Sequence, residues 1–228
     1  MPWEAWSYDG GVSTRPEVSL AQRKRQLVSD ELTEAALQLL AAKGFDAVTI
    51  DEIASAAGVS KRTFFRYFAS KEDVVVQFLT DMGADIHREL AARPAGERPS
   101  LALRSALSGP LAACADHSDR ALRVVQLILR TPALHARFLE RQGRWREGLA
   151  AELARRPDLG PGPGASPGPS PSPGLELYPE LAAGMALTAF NTVLHHWSDS
   201  DGTADPGALT EQAFAVIAPA LDGTGRQT

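Results

Sequence analysis

Cysteine is nearly absent: Cys114 is the one thiol in 228 residues. A single thiol excludes an internal disulfide framework and any zinc site built on paired cysteines. Long apolar runs are missing too. No stretch approaches the ~20 consecutive apolar residues that cross a bilayer. The N-terminus has no basic segment leading into an apolar one, so neither a membrane span nor secretion is expected. Alternating apolar and polar runs, the mark of half-buried strands, are not found. A phosphate-cradling glycine loop and a nucleophile elbow are also lacking. The expectation is a cytoplasmic, all-α protein that is not an enzyme and carries no cofactor.

The chain is not basic as a whole, since its net charge is −5. The charge is uneven, however. Residues Ala21 to Lys71 carry a net of +2 and the remainder a net of −7. A cationic patch on an acidic body suits a protein that touches a polyanion with one end only.

That end is legible in Thr49 to Lys71, TIDEIASAAGVSKRTFFRYFASK. Thr49 and Glu52 stand three apart, the spacing of a capping box. Ile50, Ile53, Ala54 and Ala57 recur at helical spacing. Gly58 follows, where a helix end favours left-handed backbone angles. Ser60 is a good N-cap for a second short helix reaching about Phe68. Two short helices joined by a glycine-containing turn form the helix-turn-helix plan, whose second helix enters the DNA major groove. Phe64 and Phe68 share one face of that helix and are free to bury against the first helix. Lys61, Arg62, Thr63, Phe65 and Arg66 occupy the other, offering cations for guanine edges or phosphates, a hydroxyl, and an aromatic for a thymine methyl. Tyr67 sits at the margin, within reach of a phosphate. Lys71 opens the next helix, whose N-terminal amides favour anions. The expected DNA contacts are therefore Thr49, Ser60, Lys61, Arg62, Thr63, Phe65, Arg66, Tyr67 and Lys71.

The stretch from Arg23 to about Leu79 resembles the DNA-binding domain of TetR-family transcriptional regulators. The resemblance rests on Lys43-Gly44-Phe45, Thr49-Ile50-Asp51-Glu52-Ile53-Ala54, Ala57-Gly58-Val59-Ser60, Thr63-Phe64-Phe65, Tyr67-Phe68 and Ser70-Lys71-Glu72. It departs at Arg62, where the family often has Gly, and at Phe65, where it often has Tyr. It implies a three-helix head, a fourth helix leading into a C-terminal helical bundle, and a dimer formed through the last two helices. The implied partners are a pseudo-palindromic double-stranded DNA operator, a second copy of the chain, and an unknown small-molecule effector. Ala121 to Trp145 loosely resembles actinobacterial members with an acyl-CoA-like ligand-binding domain.

About nine helices are expected. The arm 1–19, with Trp3, Trp6 and Tyr8, has no helical period and is expected to be disordered. Arg23 to Lys43 forms the first helix, with Leu32, Ala36, Leu39 and Leu40 as its apolar stripe; Arg23, Lys24 and Arg25 meet either phosphates or solvent. The head is expected over 20–69 and the bundle over 70–222. Ser70 caps the fourth helix, striped by Val74, Phe78, Leu79, Met82 and Ile86 and running to about Leu90. Arg93 to Ser100 reads as a hinge. Later helices are expected near 100–115 with a kink or break at Gly109-Pro110, from Ser118, from Pro132 to about Arg156, from Pro179, and from Pro206 to about Pro219. Between 157 and 174, twelve of eighteen residues are Pro or Gly, so a disordered loop is expected. A disordered tail is expected over 223–228.

For the effector, Phe138, Trp145, Met185, Phe190, Asn191 and Trp197 are candidate pocket residues, with Arg123, Arg130 or Arg137 for an anionic group. Leu187, Phe190, Val193, Leu194, Trp197, Phe214, Val216 and Ile217 serve either as core or as dimer seam. His195 and Asp199 share a helical face, but a metal wants a third or fourth ligand. With His196 and Asp201 close by, Asp199-Ser200-Asp201-Gly202 reads as a helix end and turn, so no metal is expected. The reading is a ligand-responsive regulator, a dimeric repressor released by a small molecule. Its alternatives are an effector-independent DNA-binding dimer, and a helical enzyme or metal protein that kept the head.

Overall fold

The computed structural model describes residues 19–116, 118–156 and 173–223, and among them it contains nine helices and no strand. The arm, the Pro/Gly/Ser loop and the tail lie outside the described residues except at their edges.

The head is built from α1 (Leu20–Lys43), α2 (Ile50–Ala56) and α3 (Lys61–Tyr67). Helix α1 begins three residues earlier than the sequence reading placed it. Ser19 and Gln22 form a reciprocal capping box there, a signal that satisfies two otherwise orphaned backbone donors. Leu32, Ala36 and Leu40 are buried as expected, and Leu39 is half-buried. Thr49 and Glu52 close the predicted capping box of α2. Gly58 adopts φ +65°, which a side chain would strain. Ser60 caps α3 by accepting from the Thr63 amide at 3.1 Å. Phe64 and Phe68 are buried, with ring centroids 5.8 Å apart, and lock α3 onto the head.

The body comprises α4 (Lys71–Ala92), α5 (Pro99–Asp116), α6 (Ser118–Arg130), α7 (Pro132–Ala154), α8 (Pro173–Asp199) and α9 (Pro206–Asp222). Helix α4 runs from the head into the body and packs on α1, α5 and α7. Helix α8 packs between α7 and α9, and α5 packs on α9.

Three prolines lie inside helices. Helix α5 continues through Gly109-Pro110 without a break, α8 begins at Pro173 and passes through Pro179, and α9 runs past Pro219 to Asp222. A proline costs one intrahelical hydrogen bond. Packing on both sides offsets that loss: Ala106, Leu107 and Leu111 of α5 are buried. Tyr178, buried just before Pro179, donates its hydroxyl to the Leu221 carbonyl of α9.

The link between α4 and α5 is fastened rather than open. The buried guanidinium of Arg156, just past α7, donates to the Pro94 carbonyl and, at 3.0 Å, to the Glu97 carbonyl. Arg93 and Glu97 pair within the same link, and that guanidinium holds the Glu97 carboxyl below its ordinary range. The Asp222 carboxylate accepts from the Ser100 amide at 3.0 Å and hydroxyl at 2.7 Å, tying the start of α5 to the end of α9.

Of the apolar residues on the last two helices, Leu187, Phe190, Val193, Leu194, Trp197 and Phe214 are core of the protomer. Ile217 is half-buried, and Val216 is 79% exposed. Leu177 and Leu181 of α8 are also more than half exposed.

Candidate nucleic-acid interface and the cavity behind it

Helix α3 presents Lys61, Arg62, Phe65 and Arg66 to solvent. Phe65 is 50% exposed, an unusual position for a phenyl ring. Arg62 carries no ion pair among the described residues, whereas Lys61 pairs with Asp51 of α2 at 2.7 Å. The Ser60 and Thr63 hydroxyls are bonded to each other at 2.9 Å. Thr49 gives its hydroxyl to Glu52, which also takes Lys43 at 2.8 Å. The Lys43 ammonium, then the Thr49 amide and hydroxyl, hold the Glu52 carboxyl down at about 2.

The structure adds a relationship the sequence reading did not anticipate. Two guanidiniums lie over the half-buried Tyr67 ring, Arg66 at 5.3 Å and Arg25 of α1 at 5.9 Å from its centre. Of the three cations at the start of α1, Arg25 is thus brought to the edge of α3. Stacking on a ring orients a guanidinium at little entropic cost.

Lys71 is placed otherwise than expected. Its ammonium donates to the carbonyls of Phe45 at 2.5 Å and Val48 at 3.1 Å and stands 4.4 Å from the centre of the Phe45 ring. It clamps the α1–α2 loop to the start of α4. At that start, Asp73 accepts from the Ala69 and Ser70 amides, each at 3.1 Å.

Behind the head, α4, α5 and α6 with parts of α1, α7 and α8 line a cavity of about 1080 Å³ that opens to solvent. Its wall is largely apolar, with Phe78 and Met82 from α4, Val125 and Leu129 from α6, and Phe138 and Phe190 from α7 and α8. Glu34 and Leu37 of α1 complete it, so the head itself forms part of the wall. Gly109 and Pro110 face the cavity too.

Of the expected pocket residues, Phe138 and Phe190 line this cavity. Trp145 does not. It is buried behind both, meeting them edge to face at 6.0 and 6.4 Å, and borders a smaller cavity of about 210 Å³ beside α4. Trp197 is fully buried core, and Met185 packs half-buried against that core. Asn191 is tied up in a reciprocal amide pair with Gln142. Arg123 is exposed on α6, away from the wall. Arg130 reaches the Ser198 carbonyl at 3.3 Å and Arg137 pairs with Glu140, so neither faces the cavity. The α4 and α6 lining residues were missed as such. Half-buried positions of an apolar stripe read the same in sequence whether they meet a neighbour or a void.

Among the described residues no three His, Cys, Asp or Glu side chains gather to hold a metal. His195 lies edge-on to His135 at 6.2 Å. Asp201 and Gly202, with φ of 48° and 79°, make the turn after α8. No helix among the described residues is long and apolar enough to cross a membrane.

Residues 32–78 match the family model for bacterial regulatory proteins of the tetR family, and residues 97–166 match the MftR C-terminal domain model. The chain belongs to the TetR family. Among TetR-family relatives, the HTH-type transcriptional regulator TcmR of Streptomyces glaucescens is 37% identical over a match spanning 63% of this chain and 66% of TcmR. MftR of Mycobacterium tuberculosis is 29% identical over 91% of this chain and 98% of its own length. The TetR-family architecture is also that of the fatty acid degradation regulator FadR from Bacillus halodurans (TM-score 0.61, 24% identity, covering 85% of this chain and 96% of that one). FadR from Bacillus subtilis, solved in complex with stearoyl-CoA, gives a TM-score of 0.60 at 20% identity, covering 87% and 99%. These two likenesses speak to the fold. With the exposed cationic face of α3, family membership makes this chain a DNA-binding transcriptional regulator.

Proposed function

We propose that the protein is a dimeric, cytoplasmic repressor released from a pseudo-palindromic operator by an apolar small molecule, with no catalytic role of its own. The carrying observation is the make-up of the cavity wall. It includes α1, which is part of the head, and α4, which leads out of it. A ligand that fills the cavity in one spacing of the heads better than in another shifts the equilibrium between them. The stearoyl-CoA held by the Bacillus subtilis FadR supports an elongated, apolar occupant.

On the DNA, Arg62, Phe65 and Lys61 read base edges, while Arg66, Tyr67, Thr49, Ser60 and Thr63 face the backbone with Arg25 beside them. Lys71 contributes by holding the head together and aiming the N-terminus of α4. A single recognition helix makes few contacts, so two copies bind successive major grooves about 34–36 Å apart. The exposed Leu177, Leu181 and Val216 on α8 and α9 supply an apolar seam for pairing.

The rival without an effector requires a filled body, and a cavity of about 1080 Å³ argues against it. Sedimentation of the protein with and without operator DNA tests the dimer. A dimer that binds one operator supports it, and a monomer at micromolar concentration in both states refutes it.

A further inference from the structure

The large cavity has an uneven electrostatic wall. Glu34, Asp81, Asp85 and Glu89 border it, against Arg88 and Arg120. Both guanidiniums are engaged already, Arg88 with Asp85 at 2.7 Å and Arg120 with Glu34 across the α1–α6 contact. Glu89 lies 3.6 Å from Arg93. Asp81 has no ion-pair partner among the described residues, and the Gln77 amide donates to it at 2.9 Å. It stands one helical turn from both Phe78 and Asp85, so an apolar wall and a second carboxylate flank it. Asp81 is exposed at the rim of the cavity; neighbouring atoms raise its carboxyl above its ordinary value, first by partial desolvation and then by the negative fields of Asp30 of α1 and of Asp85.

An anionic ligand head finds no unpaired cation on this wall. A polyphosphate such as that of a coenzyme A ester would have to break both ion pairs and face the released carboxylates. A cation meets the reverse situation.

We propose that the effector is an amphipathic molecule with an apolar body and a cationic end, an amine or quaternary ammonium, and that the cation docks beside Asp81 at the seam between α1 and α4. This rests on the ligand-responsive reading above and names the chemistry of its site. The apolar body lies against Phe78, Met82, Val125 and Leu129. The cation offsets carboxylates on α1 and α4 together, which draws the two helices toward each other and so acts on the head directly.

The test is calorimetric titration of the full-length protein with three probes of one chain length, all below their aggregation limits: dodecyltrimethylammonium, dodecanol and dodecanoate. The ammonium is expected to bind once per protomer, roughly fivefold to tenfold tighter than the alcohol, with dodecanoate weakest and the preference shrinking at high salt. Asp81→Asn should remove most of that preference and leave alcohol binding unchanged, with an unaltered melting temperature showing that the variant is folded. Dodecanoate binding as tightly as the ammonium, or a preference indifferent to Asp81→Asn, overturns the cationic assignment while leaving an apolar-ligand regulator standing. Failure of all three probes to bind overturns both.

Discussion

Gly83 of α4 lies so close to Trp145 of α7 that a Cβ on the glycine would stand 2.1 Å from the indole Nε1. The two helices meet here through the indole alone, with no side chain on the α4 side. Trp145 in turn meets Phe138 and Phe190, the two aromatics that line the cavity. The helix leading out of the head thus reaches the far wall of the large cavity through the Trp145 indole, beside which the smaller cavity also lies. Alanine in a helix ordinarily gains up to about 1 kcal/mol over glycine. At position 83 the overlap dominates, and Gly83→Ala should lose about 1–3 kcal/mol, the range for forcing extra volume into a packed core. Urea unfolding measures it, and Trp145→Leu in the same chain should restore part of the loss. A Gly83→Ala protein as stable as wild type would mean that the helices slide apart easily, and the close Gly83–Trp145 contact would be lost from the account.

The exposed Arg62 should discriminate bases. Arg62→Ala is expected to relax preference at one base pair of the operator by about 1–3 kcal/mol. Arg66→Ala, which removes a guanidinium stacked on Tyr67, should weaken binding on all sequences and lower the salt slope by about one. Binding to a panel of single-base operator variants separates the two. A uniform loss for Arg62→Ala would make it a phosphate contact.

Lys71 should matter for the fold of the head and not for sequence preference. Lys71→Met removes the donor to the Phe45 and Val48 carbonyls. Leaving partly buried acceptors unpaired costs about 1–3 kcal/mol. The urea midpoint should drop while the ranking of operator variants stays the same. A changed ranking at unchanged stability would put Lys71 on the DNA instead.

Glu52 sets an acid limb. Its folded-state carboxyl is depressed to about 2 from an ordinary 4.5. A depressed carboxylate contributes stability that is present above the unfolded value and fades as pH falls toward the folded one. Melting temperature should therefore fall more steeply with pH in wild type than in Glu52→Gln between about 4.5 and about 2. Parallel curves across that window would show that the Lys43–Glu52–Thr49 cluster does not hold the charge in place.

The head was readable because its signals are local. The Thr49–Glu52 box, Gly58 and the Phe64–Phe68 pair each fix a backbone or a face within four residues. Ser19–Gln22 is a signal of the same kind, overlooked because the charged run at Arg23 looked like the start. Pro179 misled for a different reason. Whether a proline ends a helix depends on the packing around it, which lies far away in sequence. The cavity was least legible. Phe78 and Met82 were placed on the right stripe of α4, yet nothing in their spacing distinguishes a wall facing a void from one facing core. Trp145 and Trp197 looked like aromatics of one pocket, but Trp145 borders only the smaller cavity, against Gly83, and Trp197 is wholly enclosed.

The most direct test is selection of binding sites by the purified full-length protein from a random-sequence duplex library, at two salt concentrations with competitor DNA. The account predicts enrichment of a pseudo-palindrome whose half-sites lie on one face, about one helical turn apart or a multiple of it. Enrichment should survive the higher salt and should change at one symmetric pair of positions in Arg62→Ala. A folded protein that enriches no sequence, with binding erased uniformly by salt, would contradict a sequence-specific regulator.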